Sequence, residues 1–254
     1  MLRRIDVDDY TKAVDMVESM IVEWRQALHR IPECDFNEHQ TAAYVAGVLG
    51  ELGLAVHTGI GGTGVIGVLE TGRPGPRVGL RAELDALAMT ETADVPFVSL
   101  HPGFMHACGH DGHMAMLLGA AALLRNDPQL GGTVYFVFQP DEEHGHGAKA
   151  MLDDGMLTRF PMDAIYGMHN MPGLPAGQFA TRAGGIMASE DNFVITIHGR
   201  GGHASSPHRV IDPLVIGAQI VLALQTIVAR SVDPQLPAVV SCTEFSTDGI
   251  RNAI

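Results

Sequence analysis

Short apolar runs bounded by glycine and proline, interleaved with helical periodicities, constrain this 254-residue chain more than any other feature. "GVIGVLE" (64–70), "RVGLRAEL" (77–84), "TVYFVFQ" (133–139) and "AIYGMHN" (164–170) read as short strands, the first three buried. Upstream, Val14, Val17, Ile21, Trp24 and Leu28 step by three and four along one face of an amphipathic helix that Pro32 ends. A second helix is predicted to open at Asn37, with Gln40 as its capping-box partner, and to run to about Gly53. Strands alternating with helices predict an α/β sandwich around a largely parallel sheet.

After "RAGGIMASED" (182–191) the texture changes. "NFVITIHG" (192–199) alternates as a half-exposed strand, a helix follows with Asp212 as cap and Pro213 in its first turn, and "AVVSCTEF" (238–245) reads as another strand. This β-α-β run predicts a smaller second domain over residues 188–254, after a first domain over 1–187.

The balance of charge narrows the partners. Against 29 Asp and Glu stand 16 Lys and Arg, a formal charge of -13, which argues against nucleic acid and anionic membrane, since both recruit basic surface. The start "MLRRIDVDDYTKAVDM" has basic residues with no apolar run behind them, so no secretion signal is expected. "PLVIGAQIVLALQTIVAR" is interrupted by Gln219, Gln225 and Thr226 and is expected to fall short of a membrane span. Cys34, Cys108 and Cys242 make no disulfide scaffold and suit a reducing cytoplasm, the expected location.

Seven of the 13 histidines lie between residues 101 and 169, in three segments that matter: "HACGHDGH" (106–113), "FQPDEEHGHG" (138–147) and "GMHN" (167–170). Each falls where a strand ends or a helix begins, the usual place for a site in an open α/β sheet. Cys108 and His110 offer soft and borderline metal ligands, and a helix N-terminus is expected to lower the thiol pKa toward the thiolate. The same residues also fit a buried small side chain and a cap. Glu142 and Glu143 follow a strand and a proline, where two like charges need a cation, a shared proton or solvent. His169 alone fits a core histidine as well as a ligand. Taken together, neighbouring carboxylates suit hydrolysis, one holding metal and the other moving a proton. A cysteine hydrolase with Cys108 as nucleophile is a second arrangement of these residues.

"LHRIPE", "RAELDALAM", "HPGFMHACGHDGHMAMLLGAA", "FQPDEE", "GMHN" and "GRGGHASSPH" resemble, in order, the blocks of the metal-dependent amidohydrolases that include hippurate hydrolase, bacterial N-acyl-amino-acid deacylases and plant auxin-conjugate hydrolases. The resemblance runs from about residue 20 to the last. It implies a zinc-exopeptidase-like three-layer catalytic domain with an inserted α+β, ferredoxin-like lid that mediates dimerisation. It also implies hydrolysis of N-acyl-amino acids by water activated at two divalent ions, drawn from zinc, manganese, nickel and cobalt. Carried onto this sequence, Cys108, His110, Glu143 and His169 are metal ligands and Glu142 the general base. His203 corresponds to a lid histidine that reaches a neighbouring subunit's site and stabilises the oxyanion. Asp85 is expected to orient a ligand, and Asn192, Arg200 and Arg209 are candidate partners for the substrate carboxylate.

The chain departs from the family's pattern at several positions. In "AELDALA" Asp85 is kept, while Glu83 and Ala88 replace an aspartate and a proline; Asp141, His144 and His146 stand where small residues and glycines are usual. In the family the chain returns from the lid to the catalytic sheet with one more histidine ligand, whereas this sequence ends at "GIRNAI". A fragment of a longer enzyme is therefore expected, with a metal-binding or dimerising protein lacking hydrolysis as the alternative.

Overall fold

A computed structural model describes residues 7–254; the basic Arg3 and Arg4, on which the reading of the N-terminus rests, lie outside the described residues. The chain separates into two compact units at Gln178/Phe179.

In the first unit, α1 (Val7–His29) and α2 (His39–Glu51) precede β1 (Ala55–Ile60), β2 (Gly64–Glu70) and β3 (Arg77–Glu83). Then follow α3 (His110–Leu124), β4 (Thr133–Gln139), α4 (Gly147–Asp153), α5 (Met156–Arg159) and β5 (Ala164–Gly167). The strands form one sheet in the order β1-β2-β4-β3-β5. β3 runs parallel to both β4 and β5, whereas β1–β2 and β2–β4 are antiparallel, so the sheet is mixed where a largely parallel one was expected. The reason is β1, a strand with little apolar character that the sequence reading passes over. Gly61 and Gly62, at φ 63° and 112°, turn it tightly into β2, and a tight hairpin can only be antiparallel.

The period-two geometry of β4 builds the layers. Val134, Phe136 and Phe138 pack with Leu28, Val45, Leu49, Met114 and Leu118 of α1, α2 and α3 on one face. Tyr135 and Val137 pack on the other with Ile66 of β2, Met151 of α4, Met156 of α5 and Phe160. Helices on both faces of one sheet give three layers.

The start of α2 differs from the expected capping box. The helix begins at His39, and its free amides are met from six residues upstream: Glu33 accepts from the backbone N–H of Gln40 (3.2 Å) and of Thr41 (2.9 Å). Asp35 and Phe36, both at φ 59°, reverse the chain between that carboxylate and the helix. Asn37 instead bonds the Asp35 carbonyl, and Glu38 is buried against Thr63.

The second unit, Phe179–Ile254, contains a short 3₁₀ turn at Pro207–Arg209 and α6 (Pro213–Ser231). Asp212 caps α6 as expected, accepting from the amides of Leu214 (2.9 Å) and Val215 (3.3 Å). The segments 192–199 and 238–245, predicted as strands, form no ladder, because among the described residues neither has a partner strand. Isolated bridges join Arg200 to Ile211 and His203 to Ala253. By length and composition alone α6 is apolar enough to cross a membrane, even with Gln219, Gln225 and Thr226 within it.

Glu33→Ala is expected to lower the unfolding free energy by about 1–2 kcal/mol, while Gln40→Ala stays within about 0.5 kcal/mol. Urea denaturation of the two variants checks this, and the reverse ranking would restore the local capping box.

Candidate metal centre

β3 and β4 run parallel with Glu83 opposite Gln139, so both deliver their next residues to one edge of the sheet. The Leu84 amide extends the ladder to the Gln139 carbonyl (2.7 Å), and Asp85 Oδ2 then accepts from the Glu143 amide (2.9 Å). β5, parallel to β3 on its other side, ends three residues before Asn170 and brings His169 and Asn170 to the same edge. α3 opens there at His110, after Gly109, whose φ of 92° suits glycine. A Cβ on Gly109 would lie 2.4 Å from Asn170 Oδ1, so the approach of this turn to the β5 segment also requires glycine.

Four predicted ligands converge at this edge. The buried His110 presents Nε2 at 3.8 Å from both Glu142 Oε2 and Glu143 Oε1. Cys108 Sγ lies 3.2 Å from His169 Nε2, and donor atoms of Cys108, His110 and His169 fall within 4.8 Å of one another. The donor atoms of His110, Glu142 and Glu143 form a second such group, with His110 common to both. Backbone carbonyls set both imidazoles: His110 Nδ1 donates to Asp85 O (2.8 Å) and His169 Nδ1 to Asn170 O (2.6 Å). A ring whose Nδ1 carries the proton turns its Nε2 lone pair toward the cluster, as a metal ligand must.

Charge governs the protonation of this edge. Burial, followed by the carboxylates of Glu143, Glu142 and Glu83, pushes the Cys108 thiol up to about 12. That is opposite to the expected thiolate, because desolvation and carboxylates brought from β3 and β4 outweigh a helix N-terminus. Burial disfavours a charged His110, but the hydrogen bond to Asp85 and the charges of Glu83 and Asp85 prevail and hold it at about 9. Burial raises the Glu142 carboxyl despite the opposing pull of His110 and Arg81.

The buried polar atoms left without hydrogen bonds test whether cations fit here. Asp85 Oδ1, His110 Nε2 and Glu143 Oε1 are buried at one place without a hydrogen bond, their nearest charged contacts being 3.3 Å (Asp85 Oδ1 to His110 Nδ1) and 3.8 Å (His110 Nε2 to Glu143 Oε1), where incompletely compensated polar atoms are costly. Among the described residues, the other two buried atoms without a hydrogen bond are both nitrogens of His106, a ring that burial lowers to about 4 and so keeps neutral. Imidazole and carboxylate donors without hydrogen bonds, beside the Cys108 sulfur and His169, fit divalent ions of borderline softness.

The sequence reading missed a supporting pair. Glu83, read only as a departure, accepts from His113 Nδ1 (2.8 Å) and pairs with Arg81, while His113 Nε2 meets the backbone N–H (3.2 Å) and Oδ1 (2.6 Å) of Asn170. His113 lies three positions after His110 on one helix, a spacing that puts both on one face and was the available signal. Asp111, also unread, is buried between Arg25 Nε (2.8 Å) and His29 Nδ1 (2.7 Å), and His29 Nε2 reaches Glu91 (3.0 Å). The remaining candidates belong to the second unit. There Asn192 bonds Glu190 (3.0 Å), Arg200 donates to the Arg209 carbonyl (3.3 Å), and the exposed His203 accepts at Nδ1 from the Ser205 amide (3.1 Å).

Residues 79–252 match the family described as Peptidase family M20/M25/M40. The chain is 44% identical over 252 residues to Thermostable carboxypeptidase 2 of Saccharolobus solfataricus, covering 98% of this chain and 64% of that protein. It is 44% identical over 230 residues to Hippurate hydrolase of Campylobacter jejuni, covering 91% and 60%. It also resembles the crystal structure of the Bacillus subtilis YXEP protein, described as a dinuclear metal binding peptidase, with a TM-score of 0.66 and 34% identity over 84% of this chain and 57% of that one. The chain thus spans less than two thirds of the length of these relatives. With its matched segment carrying β4, β5, α3, most of β3 and the donor cluster described above, the chain belongs to the M20/M25/M40 peptidase family.

Proposed function

We propose that this chain supplies the metal centre of a hydrolase that cleaves the amide bond between an acyl group and an amino acid. The observation that carries the reading is the convergence of Cys108, His110, Glu143 and His169 on one sheet edge beside Glu142, with both imidazoles fixed to offer Nε2. In this reading those four residues hold two divalent ions, of zinc, manganese, nickel or cobalt, and Asp85 orients His110 through its backbone carbonyl. When bound, such ions supply Lewis acidity toward a carbonyl and toward water. Glu142, with its carboxyl raised by burial, takes a proton from the attacking water and returns it to the departing nitrogen. Hippurate hydrolase, at 44% identity, supports an N-acyl-amino-acid substrate.

The flanking roles follow the same reading. Residues 1–187 form the N-terminal part of a catalytic domain, and 188–254 the first part of a lid through which a cytoplasmic homodimer assembles. His203 Nδ1 accepts the Ser205 backbone N–H, which leaves Nε2 as the nitrogen that donates to an oxyanion. Asn192, Arg200 and Arg209 are the polar groups of that segment offered to the substrate carboxylate. A second reading, release of the C-terminal residue of a peptide, is supported by the equal identity to a carboxypeptidase and uses the same groups. Nucleophilic use of Cys108 is disfavoured, since a thiol held at about 12 supplies almost no thiolate.

Glu142→Gln is expected to lower turnover of hippurate or an N-acetyl-amino acid by about 10²–10⁴-fold with metal content unchanged. Glu143→Gln is expected to lose metal as well; rate assays beside elemental analysis separate the two, and a Glu142→Gln enzyme of normal rate defeats the assignment. Metal affinity should also climb with pH. Both Cys108 (about 12) and His110 (about 9) hold protons in the metal-free fold, and each proton displaced makes the affinity rise about tenfold per pH unit below that group's pKa. Competition with a chromophoric chelator measures this slope, and a flat profile around neutrality contradicts it.

A further inference from the structure

The turn after β4 carries a second set of donors that shares no residue with the groups around His110. We propose that Asp35, Asp141 and His144 bind one auxiliary divalent cation of the zinc, cobalt or nickel class, with His146 flanking them. His144 Nδ1 lies 2.9 Å from Asp141 Oδ1 and 3.3 Å from Asp35 Oδ1, and His146 Nδ1 lies 3.3 Å from Asp141 Oδ2. The donor atoms of Asp35, Asp141 and His144 all fall within 4.8 Å of one another. Ligands held at about 2.0–2.2 Å from a common ion are separated by roughly 2.9–3.5 Å at octahedral or tetrahedral angles. The His144–Asp141 and His144–Asp35 spacings lie in that interval, and one imidazole with two carboxylates forms a borderline donor set.

A network of hydrogen bonds alone explains the arrangement less well. A single ring N–H on His144 faces oxygens of two different carboxylates, and one proton satisfies one of them. A cation in its place meets both oxygens and the nitrogen together. Asp141 is 2% exposed, so its charge calls for compensation, while the side chains of His144 and His146 are 51% and 73% exposed and leave solvent access for an ion. The His146 ring stacks on that of His144, 11° from parallel with centroids 6.5 Å apart, and holds the other Asp141 oxygen, so it steadies the carboxylate from outside the donor set. Asp35 and His144 also line a pocket with Glu143 and residues 86–89, so an ion held here places positive charge in the wall of a pocket that includes a ligand of the proposed centre. None of this depends on the function proposed above.

Equilibrium dialysis of the metal-free chain against micromolar cobalt(II), with metal per chain read by elemental mass spectrometry, tests the proposal. His144→Gln/His146→Gln, two replacements of exposed side chains, is expected to bind one equivalent fewer than the parent. His39→Gln/His57→Gln, two other exposed histidines, is expected to bind the same amount as the parent. Equal stoichiometry in the parent and the first variant overturns the proposal, and so does the loss of an equivalent in the control. Copper(II) paramagnetic resonance supplies an independent reading: nitrogen hyperfine structure assigned to the auxiliary ion should vanish in His144→Gln/His146→Gln, and a spectrum identical to that of the parent also overturns the proposal.

Discussion

Because β3 and β4 run parallel and in register from Arg77 opposite Thr133 to Glu83 opposite Gln139, two stretches of chain leave the sheet side by side. Antiparallel neighbours would send Asp85 and Glu143 to opposite ends. In parallel they meet closely enough for the Asp85 carboxylate to take the Glu143 amide, and the Asp85 carbonyl to take His110. The chemistry of the edge is thus a consequence of strand direction, and the layers of Phe136 and Phe138 on one face and Tyr135 and Val137 on the other hold that direction in place.

The acidity of this edge has a physical use. Glu83, Asp85, Glu142 and Glu143 gather around two imidazoles and a thiol in a desolvated setting, which forces protons onto His110 and Cys108. Those protons stand in for cations, and the buried atoms of Asp85, His110 and Glu143 that lack hydrogen bonds mark where the compensation is incomplete. An environment that raises basic and thiol groups together favours positive charge of any kind, and a divalent ion answers it with fewer particles than separate protons do.

Much of this was legible in the chain, for identifiable reasons. The strands 64–70 and 133–139 coincide with their apolar runs because glycine and proline bound them on both sides. The choice of Cys108, His110, Glu143 and His169 came from the family likeness, while the rule that sites lie at strand ends pointed only to a pocket shared by their three segments. β1 was hidden because "AVHTGI" is mostly exposed and lacks a period. The cap of α2 was hidden because Glu33 acts across a reversed turn that no spacing rule encodes. The direction of the Cys108 shift was misread for a related reason: the helix terminus is local and visible, whereas Glu142 and Glu143 arrive from 34 and 35 positions away. The strands expected at 192–199 and 238–245 show the limit of alternation as a signal, since a strand exists only beside another.

One margin of the sheet is lightly secured. β5 is four residues long, pairs only with β3, and exposes Ile165 and Tyr166, yet the loop that follows it carries His169 to Cys108 and Asn170 to His113. An ion gripped by Cys108, His110 and His169 would therefore act as a rivet between the first turn of α3 and the outermost strand. Demetallation would then loosen that border before the interior, so that the mechanical integrity of the sheet and the loading of its cation become a single cooperative event.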